Sequence, residues 1–276
     1  ELPDGLKHPR RILEGVHLGI EDGGNKSGIP TVNGAFAFDK NFSVLYLPKC
    51  KSEIRITFDS NPTSIFSFFT IILDKISDNT LVVDAGSTKE AICKVVEHHP
   101  KRRNFLAAHP IAGTENSGPS AAISGLYKGK TNIICEVEKT TFKLQEKALD
   151  LFRAIGMRIR YMDPVSHDKH IAYVSHLSHI SAFMLGKTVI NKEKNERDIF
   201  DMAGSGFAST VRLAKSSPAM WTPIFKQNKE NVIETLEEYI NNLQKFKELM
   251  QQDNFSEIFN EMENTNYIKQ ILNGIE

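Results

Sequence analysis

The sequence contains little cysteine, carries no net charge and has no long apolar run. Its three cysteines, Cys50, Cys93 and Cys135, lie far apart and form no CxxC pair, which argues against a disulfide framework or a zinc ribbon. Lysine plus arginine and aspartate plus glutamate both number 34, so the charge favours neither nucleic acid nor an anionic membrane surface. No apolar run reaches the roughly 18 residues that a membrane span needs. We therefore expect reduced thiols in a cytoplasmic protein with no nucleic-acid or membrane partner.

Signals of targeting and of common ligand loops are also missing. Residues 1–11 are charged and rich in turn formers, so no signal peptide is expected there. Glycines cluster between Gly15 and Gly34, but their spacing does not give the GxGxxG turn that binds the pyrophosphate of a dinucleotide. The HExxH pattern of zinc hydrolases does not occur. Residues 1–60 therefore predict only two strands, at 42–47 and 54–58.

The rest of the sequence predicts an α/β domain followed by helices. Its 276 residues suffice for one large domain or two ordinary ones, and 40% apolar and 25% charged residues are typical of a globular protein. Short apolar runs alternate with helical patterns up to Asp163, which indicates a parallel sheet with both faces covered. Only helical patterns with large apolar faces follow. We expect one domain at 1–163 and a helical domain at 164–276 that buries apolar surface against a partner. The predicted strands are 80–83, 104–108, 132–135 and 157–161, and the predicted helices between them are 65–76, 87–98 and 141–155.

Two of these strands end in residues that can carry chemistry. HPIAGTE at 109–115 follows the apolar run 105–108, and DAGSTK at 84–89 follows the strand 80–83. Because the carboxyl ends of parallel strands share the edge of the sheet where ligands bind, we expect the two segments to form one site. His109 can exchange a proton near neutral pH, although a lone histidine commonly just ends a strand. Ser87 can orient an imidazole or contact a cofactor, and it is also a candidate N-cap for the next helix.

The helical half contains a histidine cluster, an arginine among apolar residues and the only tryptophan. His176 and His179 are three residues apart and share a helix face. With His170 they could bind a metal ion, but no acidic residue lies at ligand spacing, so a polar substrate pocket or a pair of core histidines is favoured. Arg212 needs a carboxylate partner, which is either internal or part of a substrate. Trp221 alone would be a core or interface anchor.

Four motifs, taken in order, resemble the prephenate/arogenate dehydrogenase family of tyrosine biosynthesis. DAGSTK at 84–89 and HPIAGTE at 109–115 are followed by SHLSH at 175–179 and by the segment GFASTVR at 206–212 with MW at 220–221. The resemblance runs from about residue 63 to the end of the sequence. It implies an NAD(P)-dependent oxidoreductase, a homodimer with a Rossmann-like domain and a helical dimerisation domain. Because the helical part runs to the end of the sequence, no regulatory domain is expected after it.

The resemblance also implies roles for individual residues. His109 would be the catalytic histidine that bonds the ring hydroxyl of the substrate, Ser87 would support it, and Arg212 would pair with a substrate carboxylate. NAD is the expected cofactor, with NADP as the alternative, and no metal ion is implied. The other expected substrate contacts are His176, His179, Thr114, Glu115 and Trp221, and the expected cofactor contacts are Pro62, Asp84 and Gly86.

The reaction implied is the oxidative decarboxylation of prephenate to 4-hydroxyphenylpyruvate. Arogenate, the aminated analogue, is an alternative substrate, because the residues that meet that end of the molecule are not identifiable from the sequence. A dimeric binding protein without catalysis is a second alternative, since the GxGxxG turn is missing. A metal-dependent hydrolase that uses His170, His176 and His179 is the third.

Overall fold

The structure is a computed structural model that describes residues 54–57, 62–113, 123–194, 196 and 198–273. Side chains are described within these ranges from Phe69 onward. The chain divides into two compact units, the first ending at Lys229 and the second beginning at Glu230. Several features predicted above lie outside the described residues: the glycine-rich segment 15–34, the strand 42–47, Cys50, Thr114 and Glu115.

A five-stranded sheet with the order β1-β2-β3-β4-β5 lies in the first unit. Neighbouring strands are parallel except for β3 and β4, which are antiparallel. A parallel neighbour needs a crossover of about a dozen residues or more, usually a helix. The described residues between β3 and β4, 112–113 and 123–130, contain no helix, in keeping with the antiparallel step. The strands are β1 (Ile54–Thr57), β2 (Leu81–Asp84), β3 (Phe105–Ile111), β4 (Thr131–Cys135) and β5 (Arg158–Met162).

Helices cover both faces of this sheet, which confirms the predicted α/β class. Leu81 and Val83 of β2 pack with one helix, α3, whereas Val82 between them packs with α1 and α2 on the other face. Side chains alternate along β3 in the same way, and Phe105 lies on the face of α1 and α2. His109 is four residues after Phe105 and therefore belongs to that same face. The three helices are α1 (Pro62–Lys75), α2 (Glu90–Val96) and α3 (Phe142–Ala154).

After β5 the described residues contain helices but no strand, as predicted. The first, α4 (Pro164–Ile171), starts with proline, which lacks the N–H that a helix cannot satisfy there, and the Asp163 side chain accepts the N–H of Ser166. A π-helical turn, Ala172–His176, joins α4 to α5 (Leu177–Glu193). The later helices are α6 (Ser205–Thr210), α7 (Pro218–Gln227), α8 (Lys229–Gln251), α9 (Phe255–Thr265) and α10 (Ile268–Leu272).

The helix α8 carries an apolar stripe on its exposed surface. Its members recur at intervals of seven, three, three and four residues, which places them on one side of the helix. Across the described part of the chain, no helix combines the length and the hydropathy that a membrane crossing requires. The apolar stripe consists of Ile233, Ile240, Leu243, Phe246 and Met250.

Candidate functional site

His109 stands where β3 extends beyond the end of β2. The pairing of β2 with β3 ends with Asp84 opposite Ala107, whereas β3 continues beside β4 as far as Ile111. His109 therefore lies within the strand, opposite Ile133, and not after the strand as the sequence predicts. Its side chain is partly buried. The strand thus carries the histidine to the carboxyl edge of the sheet and leaves one side of it without a strand neighbour.

A hydrogen-bonded chain of two histidines and an aspartate leads from His109 into α4. Nδ1 of His109 lies 2.9 Å from Nε2 of His167, and Nδ1 of His167 lies 2.7 Å from Oδ1 of Asp168. His167 and Asp168 are 1% and 2% exposed, so this end of the hydrogen-bonded chain is shielded from solvent. The two imidazole rings have centroids 5.0 Å apart and planes inclined by 62°. His109 is the member of this chain that stands at the edge of the sheet.

The surroundings of His109 favour its neutral form. Burial has the largest effect and lowers the pKa of His109 well below its ordinary value, and the neighbouring His167, Lys89 and His176 lower that pKa further. A neutral imidazole can accept a proton from a ligand hydroxyl, which is what a general base must do.

Asp168 also holds the start of α2. Its Oδ1 accepts the backbone N–H of Lys89 at 2.7 Å and its Oδ2 accepts that of Glu90 at 2.9 Å. These N–H groups have no partner inside the helix, and a carboxylate is favoured at the positive end of the helix dipole. The prediction that Ser87 caps this helix is wrong, because the helix begins at Glu90 and a carboxylate distant in sequence satisfies its first N–H groups.

A buried ion pair lies beneath the loop after β2. The side chain of Lys89 is fully buried, and its Nζ donates to the carboxylate of Asp84 and, at 2.8 Å, to the carbonyl of Ala108. Asp84 Oδ1 also accepts the N–H of Gly86 at 2.9 Å. A Cβ on Gly86 would lie 3.1 Å from that same oxygen, so a side chain would crowd the turn. The pair fixes the loop to the residue that precedes His109.

Trp221 lies in a cluster of rings on the helical side. Its indole stacks on His179, with centroids 3.6 Å apart and planes inclined by 29°, and meets the edge of His176 at 5.8 Å. His176 lies in the π-helical turn, and the amide of Asn228 donates to its Nδ1 at 3.2 Å and to the carbonyl of Asp168 at 2.6 Å. The ring cluster is therefore connected, through Asn228 and Asp168, to the hydrogen-bonded histidines His167 and His109. Burial lowers the pKa of His176 to about 4 and also lowers that of His179.

Three buried polar atoms of the helical half have no hydrogen-bond partner among the described residues. They are Nε2 of His176, Nε1 of Trp221 and Oγ of Ser216. Because Asn228 donates to Nδ1 of His176, Nε2 carries the hydrogen, and an indole nitrogen can only donate. A buried polar group without a partner costs about 1–3 kcal/mol. An acceptor oxygen within hydrogen-bond distance would satisfy each of the two N–H donors, Nε2 of His176 and Nε1 of Trp221.

The other predicted site residues have mixed surroundings. Arg212 begins a short 3₁₀ turn, Arg212–Lys215, and not an α-helix, and its side chain is exposed. Its charge lowers the pKa of His179, which places it close to the ring cluster. Ser87 is partly buried in the loop between β2 and α2, and Pro62 is the first residue of α1.

The three histidines of the hydrolase alternative differ in their surroundings. His170 is exposed, His176 is buried against Asn228, and His179 is stacked on Trp221. Within the described ranges, no three His, Cys, Asp or Glu side chains are arranged to hold a metal ion.

The sequence places His167 in the histidine cluster, but no site role was predicted for it or for three other buried residues. The adjacent pair His167 and Asp168, directly after a capped helix start, is the signal that was available for two of them. Asn228 and Ser216 give no signal, because isolated polar residues in a helical segment are ordinary. The structure connects His167, Asp168 and Asn228 by hydrogen bonds to the predicted His109 and His176, and it buries Ser216 in the helical half.

The fold and the site define an α/β protein in which a Rossmann-like sheet joins a helical domain, with a histidine at the carboxyl edge of the sheet. A family model described as the nucleotide-binding domain of prephenate dehydrogenase matches residues 60–161. A second, described as the dimerisation domain of prephenate dehydrogenase, matches residues 163–264. The chain belongs to the prephenate dehydrogenase family.

Individual relatives agree with this membership. Prephenate dehydrogenase of Bacillus subtilis is 29% identical over 67% of this chain and 50% of the relative, and cyclohexadienyl dehydrogenase of Zymomonas mobilis is 29% identical over 61% and 58%. The chain thus spans about half the length of the curated relatives it matches. A crystal structure of Aquifex aeolicus prephenate dehydrogenase in complex with hydroxyphenyl propionate and NAD⁺ is 28% identical, with a TM-score of 0.73 over 96% of this chain and 86% of that one.

Proposed function

We propose that this protein is an NAD-dependent dehydrogenase that converts prephenate to 4-hydroxyphenylpyruvate, with His109 as its general base. The observation that carries the proposal is the position of His109 at the carboxyl edge of β2 and β3, at the end of the chain through His167 to Asp168. The neutral form that its surroundings favour suits a base near pH 7. Membership of the family, and the ligands of the Aquifex protein, support the same activity.

The substrate makes demands that these residues can meet. Prephenate is a cyclohexadiene with a hydroxyl at C4, a ring carboxylate and a pyruvyl carboxylate. Its oxidation removes a hydride from C4 and the hydroxyl proton, and the ring carboxylate leaves as carbon dioxide while the ring becomes aromatic. NAD, when bound, supplies the acceptor for the hydride. The protein must accept the proton and hold two anionic groups in a fixed orientation.

The chain's own residues divide these tasks between its two halves. Nε2 of His109 takes the hydroxyl proton, with Ser87 in the neighbouring loop as its support. Arg212 binds a carboxylate, which its planar guanidinium matches with two parallel hydrogen bonds. The unpartnered donors of His176 and Trp221 add hydrogen bonds to substrate oxygens. His179 keeps the indole in place by stacking, and Thr114 and Glu115 remain expected substrate contacts.

The described part of the nucleotide-binding half fits the nicotinamide end of the cofactor. Ligands of open α/β sheets bind beyond the carboxyl ends of the strands, where the small residues 85–87 follow β2. A Cβ at Gly86 would lie 3.1 Å from Oδ1 of Asp84, which disfavours a side chain on the inner side of this turn. We assign Pro62, Asp84 and Gly86 to the cofactor site. Pro62 and Gly86 would contact the cofactor, and Asp84 would hold the loop that carries Gly86 in place.

We further propose the domain division at 1–163 and 164–276, a homodimer and a cytoplasmic location. The family description of residues 163–264 as a dimerisation domain supports the homodimer, as does the apolar stripe of α8. A second copy of the chain is the partner that would cover these side chains.

The test is a spectrophotometric assay of the purified chain with prephenate and NAD at pH 7.5. Formation of reduced cofactor, and of 4-hydroxyphenylpyruvate by chromatography, is expected, and parallel assays with arogenate and with NADP decide between the alternatives. His109→Gln should lower kcat by about 10²- to 10⁴-fold and change KM little. His170→Gln is the matched control, because this histidine is exposed, and it should keep full activity. Silence with both substrates and both cofactors would favour the binding protein.

A further inference from the structure

We propose that His167 and Asp168 are positioning residues that set the tautomer of His109 and share the proton it accepts. The proposal rests on the proposed function, in which His109 acts as a base. It assigns a role in that reaction to two residues of the helical half, neither of which is expected to touch the substrate.

The hydrogen bonds define where each proton lies. Both oxygens of Asp168 accept backbone N–H groups, so the carboxylate is an acceptor and Nδ1 of His167 donates to it. Neutral His167 then has its lone pair on Nε2, 2.9 Å from Nδ1 of His109. Nδ1 of His109 must therefore donate, and the lone pair of His109 lies on Nε2. That is the nitrogen which a base needs to present to a ligand.

The hydrogen bonds that connect His109, His167 and Asp168 can also redistribute the proton after His109 has accepted it. The O–H bond of the substrate breaks and an Nε2–H bond forms on His109. The Nδ1–H proton of His109 can then pass to Nε2 of His167, which leaves His109 neutral and His167 charged beside Asp168. No proton is gained or lost in this transfer. The positive charge moves from a partly buried ring beside Lys89 to one that contacts a carboxylate.

The placement of the pair supports a dedicated role. His167 is almost fully buried, and its two ring nitrogens are both occupied, by His109 and by Asp168. Asp168 in turn is fixed by α2 from the sheet side and, through its carbonyl, by Asn228. The groups that act electrostatically on His109 are His167 from α4, Lys89 from the loop after β2 and His176 from the π-helical turn. Of these, only His167 is hydrogen-bonded to its ring.

The tautomer can be read without any enzymatic assay. In protein with ¹⁵N-labelled histidine at pH 7.5, His109 should have a protonated Nδ1 and a bare Nε2, and its signals are assigned by their loss in His109→Gln. His167→Phe removes the acceptor, so His109 should change to the Nε2–H form that free imidazole side chains prefer. His167→Gln keeps a carbonyl acceptor and should retain the Nδ1–H form. A bare Nδ1 in the wild-type protein, or an unchanged tautomer in His167→Phe, would overturn the positioning role.

Proton sharing is tested by the pH profile of turnover. Asp168→Asn removes the charge that stabilises a protonated histidine pair, so kcat should fall by about 10²-fold or more and the acid limb of kcat/KM should move to lower pH, with KM nearly unchanged. His167→Gln should lose kcat in the same way despite its correct tautomer. An acid limb and a kcat equal to those of the wild type in both variants would refute proton sharing.

Matched controls separate these effects from loss of structure. Asp74 pairs with His99 at 3.2 Å on the surface of the same unit, so Asp74→Asn breaks a His–Asp contact away from the site and should alter neither readout. Circular dichroism and Trp221 fluorescence confirm that each variant is folded. If Asp168→Asn does not fold, His167→Gln alone carries the kinetic test. If the wild-type chain is inactive while the tautomer responds as expected, the proposed function fails and the positioning role stands.

Discussion

Replacing Lys89 by methionine should destabilise the first unit more than an ordinary core substitution does. The side chain is 0% exposed, and its Nζ contacts the Asp84 carboxylate and the carbonyl of Ala108. Methionine fills similar apolar volume but removes the cation, which leaves the carboxylate buried with the N–H of Gly86 as its remaining described partner. Removing one member of a buried pair costs about 3–5 kcal/mol. That is a large fraction of the roughly 5–15 kcal/mol that stabilises a typical domain.

Urea unfolding followed by tryptophan fluorescence measures this effect. Trp221 is the only tryptophan and lies in the first unit, so its signal reports on the unit that contains the pair. With an unfolding slope of about 3 kcal/mol per molar urea, the midpoint should fall by about 1 M or more. Lys94→Met is the matched control, because Lys94 pairs with Glu90 at an exposed position, and its midpoint should stay nearly unchanged.

The double variant Asp84→Asn with Lys89→Met decides the cause. Without either charge, no uncompensated carboxylate remains, so the double variant should be more stable than Lys89→Met alone. The reasoning is refuted if the double variant is no more stable than the single one, or if Lys89→Met unfolds at the wild-type midpoint.

Three further predictions concern other parts of the chain. Burial lowers the pKa of His176 from 6.5 to about 4, so between these values the unfolded chain binds a proton that the native one does not. This histidine should lower the free energy of unfolding by about 2 kcal/mol from pH 7 to pH 5, His109 should add to the loss, and a flat urea midpoint would contradict this. Burial raises the pKa of Cys135 to about 12 and also raises that of Cys93, so iodoacetamide should label both only after unfolding, as peptide mapping can check. Ile240→Asp should convert the proposed dimer to monomer in light scattering, whereas Glu238→Gln on another side of α8 should not, and a wild-type monomer would end the dimer proposal.

Much of the sheet was predictable because its strands are short apolar runs between turn formers. Leu81–Asp84 and Thr131–Cys135 differ from the predicted strands by one residue at one or both ends. The extension of β3 through Pro110 was not predictable, since proline discourages a strand interior. Proline is tolerated there because β2 has already ended, so its missing N–H faces no neighbour on that side.

The helix start at Glu90 and the hydrogen bonds that connect His109, His167 and Asp168 were not predicted, for a different reason. Ser87 followed by a helical pattern is a valid local signal for a cap. The oxygen atoms that satisfy Lys89 and Glu90 come from Asp168, which no local pattern can connect to them. The ring cluster was easier, because His176, His179 and Trp221 each carry a recognisable residue type within a matching motif.

Asp168 has a consequence for protein engineering. It belongs to the helical half, yet it anchors a helix of the nucleotide-binding half and, through His167, the orientation of His109. Chimaeras that exchange one half between family members would therefore inherit the proton acceptor from one parent and its alignment from the other. Hybrids that keep the hydrogen bonds of Asp168 to α2 and to His167 should be active. Hybrids in which the helical parent lacks the His-Asp pair should bind ligand but turn over slowly.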